Sequence, residues 1–234
     1  MDLSVFGRVH WIYLAITLPL SFIGLWSAKK FAKGEKSQTI ILKSIAGMLF
    51  IWILINRLSQ VYRYDTVRWN QIIPDSFCGM TSLVLALGVL LGKKNNSTLH
   101  FTWLLALFGG ISTVAYATFL DQDISFFYLP TISGLLHHSL SATLTVALLM
   151  FKYIDITYKK WYCTFFGFTA YLTVGAFLMQ TFHMIDAFHI AEPLIPGTPL
   201  TAWVMAPMYA VGYGLVLLVV ELVKRKKAAA VTAQ

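Results

Sequence analysis

Charge is what this sequence has least of: Asp, Glu, Lys and Arg make up 12% of its 234 residues. A water-soluble domain carries about 25%, so the soluble globular classes are excluded. Cysteine is nearly absent as well. Cys78 and Cys163 are the only two, too few for a disulfide framework and without the spacing of a zinc site. No His-Xaa3-His or Glu-Xaa2-His occurs, which removes the helical signatures of a metal centre. Internal repeats, low-complexity tracts and linkers are not evident. No cleavable leader is read either, because the first apolar run is long enough to span and ends at Lys29-Lys30, not at a small-residue cleavage site.

Hydrocarbon fills the space that charge leaves. The hydrophobic fraction is 58% and the mean hydropathy +0.70. A helix needs about 20 mostly apolar residues to cross a hydrocarbon core of roughly 30 Å. Seven such runs are read, at residues 10–28, 39–60, 72–91, 99–120, 128–151, 161–184 and 200–223. Their length favours helices over barrel strands, which need only about 9–11 residues. The expected fold is all-α: a single seven-helix transmembrane domain over residues 1–227, followed by a disordered tail over 228–234.

Net charge is +8. In a soluble protein this would suggest nucleic acid, but these cations lie between apolar runs, so no nucleic-acid partner is expected. Sorted by alternate loops, every lysine and Arg225 fall on one side, while Arg8, Arg57, Arg63 and Arg68 fall on the other, 14 against 4 of the 18. The positive-inside rule then places the N-terminus outside and the C-terminus in the cytoplasm of a multi-pass cell-membrane protein. Asn95-Asn96-Ser97 and Asn96-Ser97-Thr98 match a glycosylation pattern, but they fall on the cytoplasmic side and read as chance matches.

This topology gathers polar groups in the outer half. His10 opens span 1, Arg57 lies near the outer end of span 2, and Cys78 is in the outer third of span 3. His137 and His138 lie near the middle of span 5, and His183 is at the outer end of span 6. Ionisable groups within spans are costly and normally face the bundle interior or a wet cavity. Cys78, Thr81 and Ser82 share a helical face, as do Gln180 and His183. A polar cavity bounded by spans 1, 2, 3, 5 and 6 is therefore expected. Blander roles exist for each: Cys78 as a small filler, the histidine pair as interhelical hydrogen-bond glue, and Arg57 as a snorkelling cation.

A cysteine and a histidine on neighbouring helices can form a nucleophile–base pair. The histidine takes the thiol proton and the thiolate attacks an ester to form a thioester, which a second alcohol then opens. Arg57, Thr81 or Ser82 can steady the oxyanion or hold a phosphate. Phospholipids are the esters a membrane offers.

Cys78 in Pro-Asp-Ser-Phe-Cys-Gly-Met-Thr-Ser, and His137 or His138 in Gly-Leu-Leu-His-His-Ser-Leu some 59 or 60 residues later, resemble the YwaF-type bacterial integral membrane proteins. The Ala206-Pro207-Met208-Tyr209 segment before the last span is similar too. That family is related to a eukaryotic transmembrane acyltransferase that makes ether phospholipids. The resemblance, over about residues 45–222, implies a cysteine-dependent lipid acyltransferase with Cys78, His137 and His138 as catalytic candidates. Arg57, Thr81, Ser82, Gln180, His183 and His10 are the candidates for substrate binding. The chain departs from the family pattern at Phe77-Cys78-Gly79, where a leucine-cysteine pair followed by an acid is common, and it lacks the asparagine-tyrosine segment before the final loop.

Two other readings stand beside this one. A small-molecule binding or transport protein would use the same cavity, with Gly109-Gly110 and Pro207 as the candidate helix breaks. A metal site from Cys78, His137 and His183 lacks sequence spacing, so no metal and no cofactor are expected. Membrane lipids are the expected partners, with a small molecule or phospholipid as substrate; the oligomeric state is open.

Overall fold

The computed structural model describes residues 7–62, 67–117 and 127–232. Arg63, which entered the topology count, lies outside these, as do residues 118–120 of the fourth expected span. Among the described residues there is no strand. Seven α-helices carry the chain: α1 Arg8–Phe31, α2 Glu35–Val61, α3 Phe77–Leu90, α4 Ser97–Ala115, α5 Leu129–Met150, α6 Tyr162–Thr181 and α7 Ala202–Thr232.

Six of them are long and apolar enough to cross a membrane; the exception is α3. The third apolar run was read as 72–91, but its first residues do not join the helix. Residues Trp69–Ile72 form a short 3-10 turn instead. Pro74, which restricts the residue before it to extended backbone, separates that turn from Ser76. The Ser76 side chain then accepts from the Gly79 N–H and starts α3. Fourteen residues remain, a length of about 21 Å. Cys78 consequently lies in the first helical turn.

The other helix starts are equally local. Gly34 sits at φ 111°, a left-handed conformation that suits glycine, and turns α1 into α2. Glu35 in the first turn of α2 complements its dipole. Asn96 caps α4 by accepting from the Leu99 N–H, while its amide donates to the Gly88 and Lys93 carbonyls. The glycosylation-like pattern is thus a helix cap. At the other end, α7 continues helical to Thr232, through a run of alanines that favours the helix.

The chain divides into two compact units, residues 1–154 and 155–234. In the first, α2, α3, α4 and α5 pack in a ring, α2 on α3, α3 on α4, α4 on α5 and α5 on α2, and α1 leans on α5. In the second, α6 packs on α7 through Phe168, Tyr209 and Tyr213. Phe188 stacks on Tyr171 at 5.5 Å, over Gly175, where a Cβ would meet the Phe188 ring at 2.7 Å. Lys224 closes this unit by donating to the Asp155 carboxylate at 2.7 Å and the Ile156 carbonyl at 2.8 Å.

Candidate functional site

The four-helix ring of the first unit brings together most of the polar residues singled out in the sequence. Arg57 does not reach outward. Its side chain is 13% exposed and pairs with Asp75 at 3.4 Å, while Nη2 and Nε donate to the Asn56 side-chain oxygen at 2.8 and 3.3 Å. Asn56, itself buried, donates across to α5, to the Pro130 carbonyl and the Ser133 hydroxyl, both at 3.1 Å. Asn56 thus links the α2 cation to the α5 backbone. Sequence reasoning passed over it, although an amide beside an arginine inside an apolar run is a costly combination that asks for partners.

His137 and His138 are both buried on α5, with ring centroids 4.2 Å apart. His137 Nδ1 lies 3.1 Å from the Ser133 carbonyl. A carbonyl can only accept, so Nδ1 carries the proton, and in the neutral ring Nε2 keeps the lone pair. That Nε2 is buried and makes no hydrogen bond. Buried polar atoms are nearly always partnered, so this acceptor stands out from the packing around it. It also distinguishes two adjacent histidines that the sequence left equivalent.

Cys78 is half-buried at the start of α3. Its thiol hydrogen-bonds the Thr113 hydroxyl of α4, and its sulfur lies so close to Gly109 that a Cβ there would meet Sγ at 2.9 Å. At Gly110 a Cβ would meet the His138 carbonyl at 2.7 Å and Ala142 at 3.0 Å. The glycine pair does not break α4, as a transporter reading would have it. It brings the α3 sulfur and the α5 backbone against successive residues of one continuous helix. Ser82 of α3 donates to Ser141 of α5 at 3.2 Å, and Thr81 is buried beside it.

Residues 5–223 match the model of the TMEM164 family. The chain belongs to the TMEM164 family. It is therefore a multi-helix membrane protein of that family, and lipids are its natural surroundings. Searches of curated proteins and of solved structures find no match to this family member.

Three candidates remain. His10 is fully buried, with Nε2 2.8 Å from the Val114 carbonyl. It lies at the start of α1, where the sequence placed it, and fastens α1 to α4. Gln180 and His183 are exposed at the end of α6 in the second unit, His183 with φ 53°. Span 4, left out of the expected cavity, supplies Gly109, Gly110 and Thr113. Its contribution was illegible because glycine contributes by what it omits.

Proposed function

We propose that this TMEM164-family protein is a membrane phospholipid acyltransferase in which Cys78 is the nucleophile and His137 the general base. The observation that carries the reading is the free, unprotonated Nε2 of His137 in the same four-helix ring as Cys78. His137 Nε2 takes the thiol proton, and the thiolate adds to the carbonyl carbon of a phospholipid ester. The tetrahedral oxyanion collapses, the ester C–O bond breaks, and the imidazolium returns its proton to the departing lysophospholipid oxygen. A second lipid alcohol then gives its proton to Nε2, attacks the thioester carbon and displaces the Cys78 thiolate, which recovers the proton.

The surroundings suit this chemistry. The Thr113 hydroxyl of α4 hydrogen-bonds the sulfur and orients it. Arg57, held by Asn56 and Asp75, supplies a fixed cation for a lipid phosphate or for the oxyanion. The resemblance to YwaF-type proteins, with their acyltransferase relative, supports the same assignment. We read the lysine-rich ends of the helices as cytoplasmic, in a cell-membrane protein.

The test is a covalent intermediate. Purified protein incubated with phospholipid is expected to gain the mass of one acyl chain, removable by hydroxylamine and absent in Cys78→Ser. His137→Gln should slow its formation by about 100-fold or more, and His138→Gln far less. Acyl transfer that survives Cys78→Ser would end the proposal.

A further inference from the structure

Outside the Cys78 cluster, the first unit contains a slot of about 1140 Å³ between α1, α2 and α5. It follows residues 9–31 of α1, about 33 Å of helix and so the depth of a hydrocarbon core. Its other walls are residues 41–48 of α2 and 132–143 of α5. On α5 the slot takes Ile132, Leu136, Leu140 and Thr143, whereas Ser133, His137 and Ser141 lie round the helix on the face of the Cys78 cluster. The slot is distinct from the proposed catalytic groups.

Its existence follows from how α1 is held. Hydrogen bonds fix α1 to α5 at two heights, Tyr13 to Ser139 at 2.6 Å and Thr143 to Ser21 at 3.2 Å. Small residues such as Gly24 and Ser44 line the gap, and a Cβ on Gly24 would meet nothing within 4 Å. Water is a poor filler for a mostly aliphatic slot, because each molecule needs two to four polar partners. Hydrocarbon is the remaining occupant.

Charge at one end selects the kind of lipid. Phe31 closes the slot there, and the Lys30 ammonium lies 5.4 Å from its ring and 4.9 Å from that of Trp26. Lys29, Lys33 and Lys36 are exposed in the same turn. The turn has a single acid, Glu35, and its carboxylate is taken by Lys94 at 2.8 Å. Among the described residues of this turn, the lysine cluster is therefore left with positive charge that no acid of the turn offsets, at the end of an aliphatic slot. We propose that this slot is a binding site for an anionic phospholipid, with its acyl chains lying along α1 and its phosphate headgroup among Lys29, Lys30, Lys33 and Lys36.

The experiment uses the full chain in nanodiscs holding equal amounts of phosphatidylglycerol and phosphatidylcholine with identical acyl chains, followed by native mass spectrometry of the released protein. The expected result is retention of phosphatidylglycerol over phosphatidylcholine by roughly tenfold, since several lysines act on one headgroup. Replacing Lys29, Lys30, Lys33 and Lys36 with Gln should bring the two lipids to near-equal retention. Gly24→Leu, which fills open space without an internal clash, should reduce retention of both while leaving the melting temperature unchanged. Equal retention of the two lipids by the unaltered protein overturns the proposal, as does unchanged retention in either variant. Thioester formation at Cys78 is read separately, so the failure of one reading is distinguishable from failure of the other.

Discussion

Replacing Asn56 with leucine tests whether this amide is the hub of the polar cluster. Leucine keeps the size of the side chain but removes two bonds donated to α5 and two accepted from Arg57. Interhelical hydrogen bonds in membrane proteins are worth about 0.6 kcal/mol on average and up to about 1.7, so the α2–α5 pair accounts for about 1–2 kcal/mol. A bond to a charged group adds about 1.5–3 kcal/mol, because the Arg57 guanidinium remains buried with Asp75 as its other bonded partner on this side. The expected loss is about 3 kcal/mol. For a chain of this size that is a fall in Tm of about 6–12 °C, measurable by circular-dichroism melting in detergent. Arg57→Leu removes the cation but spares the α2–α5 bonds, so its Tm should fall by less. A shift under about 2 °C for Asn56→Leu, or a larger one for Arg57→Leu, would refute the hub assignment.

Three further outcomes are expected. Arg57→Leu should weaken electrophilic-probe labelling of Cys78 without preventing membrane insertion, and Arg57→Lys should restore it only in part, because an ammonium lacks the planar fork. Gly110→Ala drives a Cβ into the α5 backbone and should cost about 1–3 kcal/mol in a denaturation assay; Gly109→Ala meets only the Cys78 sulfur and should instead lower Cys78 labelling with a smaller change in stability. In a background lacking Cys78 and Cys163, a cysteine placed at Lys93 should resist membrane-impermeant reagents on intact cells while one at Leu194 reacts; the reverse pattern would invert the orientation.

The spans were legible because an apolar run of about 20 residues has one main explanation in lipid. The third run was the informative departure. Hydropathy cannot see that Pro74 and the Ser76 cap delay the helix, since Ile72, Ile73 and Phe77 are as apolar as the body of α3. Cys78, Arg57 and the histidine pair were legible as expensive residues that demand a reason. Asn56, Ser133, Ser141 and Thr113 were not, because serine and threonine in a membrane helix ordinarily bond their own backbone, as Thr145 does with Ser141. Which helix faces which decides the difference between that habit and a bond across the bundle. The choice between His137 and His138 was likewise out of reach, because it rests on one carbonyl four residues earlier.

The brevity of α3 also bears on the membrane around it. Its neighbours α2 and α4 differ in length, 27 and 19 residues, yet both exceed its 14. At about 21 Å, α3 falls roughly 9 Å short of a full hydrocarbon layer. Irregular backbone such as residues 67–76 is tolerated at that depth only where protein or water covers it. Where such cover is incomplete, a bilayer answers a short span by thinning locally, at a fraction of a kcal/mol per ångström. On the acyl-transfer proposal, such thinning would bring lipid ester linkages nearer the sulfur, and membrane thickness would then tune how often a lipid and this cysteine meet.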